Sequence, residues 1–103
     1  MSVIECKRVK FYSPLDETAF FEWLEKIKSI INVKGKKDSL WLTINLQDLS
    51  DDDLHNLTAL FRRYKISAKK LENIVSDKNR EAFEYFKYGY SVNVYPVLSD
   101  ENI

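Results

Sequence analysis

An α/β domain of the α+β type is the fold class this sequence predicts, a two-layer sandwich with helices on one face of a three-stranded sheet, and three observations predict it. Apolar residues alternate with polar ones in short runs, most clearly Leu40, Leu42 and Ile44 against Trp41, Thr43 and Asn45, which is the two-residue period of a half-buried strand. Serines followed by acids, Ser13-Pro14-Leu15-Asp16-Glu17 and Ser50-Asp51-Asp52-Asp53, mark helix starts. Only two glycines and two prolines occur beside a 45% hydrophobic content, so the chain has material for a packed interior and not the composition of a disordered or repetitive one. At 103 residues there is room for one core, assigned to residues 1–98, with 99–103 as a frayed tail.

The first strand is expected over Val3–Tyr12, with Val9 and Phe11 alternating against Arg8, Lys10 and Tyr12. Ser13 then caps a helix with Pro14 at its first position, and the helix runs to about Ile31 on a stripe of Phe20, Leu24, Ile27 and Ile31. Lys34-Gly35-Lys36-Lys37-Asp38 reads as a turn, and Ser39–Leu46 as the second strand. Ser50 caps the next helix, whose core stripe is Leu54, Leu57, Phe61 and Tyr64 and whose last turn carries Arg62, Arg63 and Lys65. Ser67 caps a short helix through Leu71 and Ile74, and Ser76-Asp77 starts another with Ala82, Phe83 and Phe86 inward, stopped by Gly89. Tyr90–Val97 is the last strand. The order is β-α-β-α-α-α-β. Its opening strand–helix–strand unit favours a parallel pair with a right-handed crossover, while the pairing direction of the last strand stays open.

Composition removes several function classes. No run approaches the ~18 apolar residues of a membrane span, and charges interrupt the N-terminus at once, so neither a membrane anchor nor an export signal is expected. Cys6 is the only cysteine, which rules out an intrachain disulfide and a Cys-rich zinc site and fits a buried hydrophobe in a reducing cytoplasmic compartment. Sixteen basic and sixteen acidic side chains cancel, so binding to duplex DNA by bulk charge is not expected. His55 is the only histidine and lacks a recognisable nucleophile partner, and GxSxG, P-loop, GxGxxG and HExxH patterns are all missing. The chain therefore reads as no enzyme, with no cofactor and no metal.

What remains is surface. Asp48, Asp51, Asp52 and Asp53 form the densest single-sign patch; first-turn acids suit a helix N-terminus, and the same patch could grip a basic partner. Arg62, Arg63, Lys65, Lys69 and Lys70 mirror it, as a helix C-terminus complement or a contact for phosphate or an acidic protein. Arg8, Lys10, Tyr12, Trp41, Thr43, Asn45, Asn93 and Tyr95 are expected to project from a sheet face away from the helices, where aromatic and basic groups suit either a protein contact or stacked bases. Tyr85 lies off its helix's apolar stripe and, clustered with Tyr88 and Tyr90, would mark an interface.

Three stretches carry a family resemblance: Val9-Lys10-Phe11-Tyr12-Ser13-Pro14-Leu15-Asp16-Glu17-Thr18-Ala19-Phe20-Phe21-Glu22-Trp23-Leu24, Asp38-Ser39-Leu40-Trp41-Leu42, and Leu49-Ser50-Asp51-Asp52-Asp53-Leu54 with Ala59-Leu60-Phe61-Arg62-Arg63-Tyr64-Lys65-Ile66. Together they resemble small bacterial α/β proteins that include immunity proteins of contact-dependent or polymorphic toxin systems. The resemblance spans most of residues 7–86 and lies mainly in cap and core positions, so no toxin-contact residue is carried over. It implies a cytoplasmic immunity protein that neutralises a cognate toxin, the C-terminal domain of a large secreted protein, by stoichiometric blockade. The near-neutral charge departs from the acidic character common among inhibitors of nuclease toxins and leaves the toxin's chemistry open. Asp48, Asp51, Asp52 and Asp53 are the first expected contacts, with Trp41 and Tyr85 second. The alternative is a single-stranded RNA-binding module using Arg8, Lys10, Tyr12 and Trp41.

Overall fold

The computed structural model describes residues 1–86. In chain order they form strand β1 (Ser2–Lys7), helix α1 (Pro14–Glu25), strands β2 (Ile30–Lys36) and β3 (Ser39–Ile44), a 3₁₀ turn at Leu46–Asp48, helix α2 (Asp51–Arg63), a 3₁₀ segment Ala68–Ile74 and helix α3 (Arg80–Phe86). The α+β class holds: a three-stranded sheet in the order β1-β3-β2 packs against helices. The helix stop expected at Gly89, the cluster with Tyr88 and Tyr90, the expected strand Tyr90–Val97 with Asn93 and Tyr95, and the tail 99–103 lie outside the described residues.

The sheet is antiparallel throughout, which corrects the expected parallel pair. The reason is a strand the sequence pattern concealed. Ile30-Ile31-Asn32-Val33 does not continue α1; the helix ends at Glu25, and the β-branched run forms β2, which turns at Lys37–Asp38 into β3. Strict alternation is broken by an irregularity between Ile30 and Asn32, so Ile31 is 48% exposed and the two-residue period does not read cleanly. Gly35 is not the turn residue either. It sits inside β2 opposite Leu40, and Lys37 takes the positive φ of 57° at the hairpin instead. With a hairpin inserted, β3 runs opposite to β1.

The first strand also starts and ends earlier than expected. Ile4 and Cys6 face inward from β1, and Arg8, at φ 52°, breaks the strand before Val9 and Phe11. Those two are core residues of a loop. Phe11 packs edge-on against Phe20 at 5.3 Å and Tyr64 at 5.9 Å, and lies 6.1 Å from Phe21, which closes one end of the core with aromatic rings. Phe21 is accordingly half-buried against the core.

The helices start where their caps say. Ser13 Oγ accepts from the Asp16 N–H at 3.1 Å and Ser50 Oγ from the Asp53 N–H at 3.0 Å. Ser67 caps the 3₁₀ segment through the Lys69 N–H. Ser76 does not cap α3; Asn79 occupies the position before it, its Oδ1 taking the Ser76 N–H at 2.7 Å and its carbonyl the Phe83 N–H. Ile4, Cys6, Leu42 and Ile44 from the sheet meet Phe20 and Leu24 from α1, Leu54, Leu57, Leu60 and Phe61 from α2, then Leu71, Ile74 and Phe83. Each such burial contributes about 1.5–3 kcal/mol, whereas exposed ion pairs such as Arg8–Asp38 and Arg80–Glu72 contribute under about 1 kcal/mol. Apolar packing holds this fold.

Candidate binding surfaces

Strand register sorts the sheet's residues into two faces. Ile4, Leu42 and Val33 share one row of the inner face. The outer face carries three rows: Val3–Thr43–Asn32, Glu5–Trp41–Lys34 and Lys7–Ser39–Lys36. Val3 is 56% exposed, and Lys7, Lys34 and Lys36 are exposed. Trp41 stands half-buried at the centre, between a carboxylate and an ammonium. Beside it is an open depression of about 340 Å3, walled by Lys7, Lys36 and Lys37 against Glu5, Asp38 and Ser39. Its two acids already have partners: Ser39 Oγ donates to Glu5 Oε2 at 2.6 Å, and Arg8 Nε pairs with Asp38 Oδ2 at 3.3 Å. The lysines dominate the field presented outward.

This arrangement corrects the expected open-face set. Arg8, Lys10 and Tyr12 do not project from the sheet, because the strand has ended before them; they line a separate cleft with Arg63, Tyr64 and Lys65. Asn45 lies beyond β3, where its side-chain oxygen caps the 3₁₀ turn. The lysines that do share the face with Trp41 were missed. Their signal was the Lys34-Gly35-Lys36 alternation inside an unrecognised strand.

The four acidic contacts expected first lie at the opposite end of the sheet, beyond Ile44. Asp48 Oδ2 accepts from Asn45 Nδ2 at 3.1 Å, and Asp53 Oδ2 accepts the N–H of the buried Ser29 at 3.1 Å. Asp51 and Asp52 are exposed in the first turn of α2. Tyr85 is 73% exposed on α3, a helix that packs against α2. Trp41, on the outer face of the sheet, and the acids, beyond Ile44, are therefore not brought together.

Among the described residues, two titratable groups are shifted. The Cys6 thiol, fully buried, is pushed up to about 11, chiefly by burial, with Lys70 pulling it down and Glu5 up. It stays protonated near neutrality and offers no thiolate nucleophile. Burial, then Asp16, raises the Tyr64 phenol above its ordinary value, and that hydroxyl donates to the Asp16 carbonyl at 3.1 Å. His55 is half-buried on α2. A concavity of about 400 Å3 beside Trp23 is lined by Glu22, Lys26 and Asn56 together with Ala19 and Ile27.

Among the described residues no helix is long and apolar enough to cross a membrane, and no three His, Cys, Asp or Glu side chains are grouped to hold a metal ion. No protein-family model matches the chain, and no curated protein or solved structure matches it either.

Proposed function

We propose that this chain is a cytoplasmic immunity protein that binds a cognate bacterial toxin domain and blocks its substrate site without turnover. The observation that carries the reading is the Trp41 depression: a half-buried indole on the outer sheet face, ringed by Lys7, Lys34, Lys36 and Lys37, with the nearby carboxylates already hydrogen-bonded or ion-paired. Indole rings set in a desolvated centre with a charged rim are the pattern of protein-binding hot spots. The lysine rim steers a partner that presents carboxylates, and the buried ring slows its release. The acids Asp51 and Asp52 are a second contact region for a partner large enough to reach around the end of the sheet.

The test is to read the neighbouring gene and measure direct binding to the C-terminal domain of a large secreted protein encoded there. Tight one-to-one association is expected, weakened about tenfold or more by Trp41→Ala, the effect of losing one hot-spot ring. An unaltered affinity in Trp41→Ala would remove this face from the interface, and no association with the neighbouring domain would remove the reading.

A second reading, single-stranded RNA binding, retains one specific support: Trp41 with Lys7, Lys34 and Lys36 is an aromatic platform with phosphate-seeking neighbours. It predicts RNA affinity that falls steeply as salt rises. A flat titration dismisses it.

A further inference from the structure

The loop after β1 and the turn after α2 meet in a cleft of about 200 Å3 whose walls bring together the cations Arg8, Lys10, Arg63 and Lys65. The remaining lining is Tyr12, Tyr64 and one carboxylate, Asp16. That carboxylate is engaged: its Oδ2 accepts the Tyr12 N–H at 3.0 Å. Arg8 leans on Asp38 at 3.3 Å, and Lys10 Nζ lies 5.2 Å from the Tyr12 ring centroid. Positive charge exceeds negative in a small concave space, which focuses the field on anything that enters.

Backbone geometry adds an independent observation. Arg8 and Lys65 have φ of 52° and 60°, the left-handed region in which an L side chain is strained and glycine is not. Lys65 follows α2 at the position where helices commonly stop on glycine; the Ile66 N–H closes onto the Phe61 carbonyl at 2.7 Å, and the Tyr64 N–H onto Leu60. A cation is kept at a place where glycine would relieve strain, and its side chain lines the cleft. Such an outlier points to function.

We propose that this cleft binds a phosphate group, free or carried as a monoester, gripped by Arg8, Lys10, Arg63 and Lys65. The space is below the roughly 300 Å3 at which sites for drug-sized ligands begin, so it suits a phosphoryl group and not a whole cofactor. Tyr12, 76% exposed at the rim, offers a ring on which a nucleobase attached to that phosphate can stack. The site is separate from the Trp41 depression and does not depend on the docking reading.

The test uses the full chain with three probes: adenosine 5′-monophosphate, inorganic phosphate and adenosine. Both phosphates are expected to move the amide resonances of residues 8–12 and 63–65, while adenosine leaves them in place. Tighter binding of the nucleotide than of phosphate assigns the natural ligand to nucleotides; equal binding assigns it to free phosphate. Lys65→Gly is expected to melt at higher temperature than the parent yet weaken nucleotide binding by about fivefold, the scale of one exposed ion pair. Lys10→Ala, on unstrained backbone, gives the same weakening without the thermal gain, and Asp16→Asn tightens binding. Adenosine binding as well as its monophosphate, or undiminished phosphate affinity in both Lys65→Gly and Lys10→Ala, overturns the proposal.

Discussion

The two ends of helix α2, about 20 Å apart at 1.5 Å per residue, handle charge in opposite ways. At its start, Asp51, Asp52 and Asp53 stand where the helix dipole favours acids; Asp53 also ties down the buried Ser29 N–H, and Asp48 steadies Asn45. Charge there serves the fold. At its far end gather Arg63 and Lys65, with Arg8 and Lys10 across the cleft and Lys7, Lys36 and Lys37 at the hairpin. Arg8, Lys37 and Lys65 are the non-glycine residues with positive φ among those described, and all three are cations. Their backbone, unlike their charge, works against the fold. The acids, like Arg62 and Arg63 in the last turn of α2, can be understood from the helix dipole; the three cations at positive φ cannot, so the cationic end is where function is to be sought.

The comparison presumes that both ends are built on a core that excludes charge, and the largest expected effect tests that floor. Below pH 9 the Cys6 thiol keeps its proton folded or unfolded. Above it the unfolded chain ionises while the folded thiol holds out to about pH 11. Stability should therefore fall across that window by up to about 3 kcal/mol, and Cys6→Ala should lose that part of the alkaline slope in urea unfolding. At the acidic end, Asp53→Ala should cost about 2 kcal/mol by orphaning the Ser29 N–H and removing a charge from the helix start, read as a lower urea midpoint. Ser50→Ala should cost about 1 kcal/mol through the lost cap. Lys65→Gly should move the midpoint the other way, by slightly under about 1 kcal/mol. Asp51→Asn and Asp52→Asn should each change it by less than about 0.5 kcal/mol, since these carboxylates are exposed. Equal losses at both ends would erase the contrast.

How much of this was legible in the sequence follows from which signals are local. Ser13, Ser50 and Ser67 cap helices because a hydroxyl and a backbone N–H three residues on, or two for Ser67, need nothing else. Leu42 and Ile44 read as inward because alternation in β3 is unbroken. Strand β2 was illegible because its irregularity at Ile31 spoils the period and its isoleucines also extend the stripe of α1. The antiparallel pairing was hidden with it. Of the expected contacts, Trp41 does sit on the outer face, but its lysine neighbours depend on register, which is a tertiary fact. Net charge misled most: the equal totals of sixteen conceal a separation into two ends that appears only when residues 8–10 and 63–65 meet across the cleft.

The central claim is that the cationic end retains side chains its backbone would be steadier without. Unfolding of the triple variant Arg8→Gly, Lys37→Gly, Lys65→Gly in urea tests it most directly. The exposed Arg8–Asp38 pair is a small loss, so the account predicts a variant more stable than the parent by about 2 kcal/mol, with an unchanged dependence on urea. A variant less stable than the parent would mean that these cations hold the fold, as the acids at the other end do.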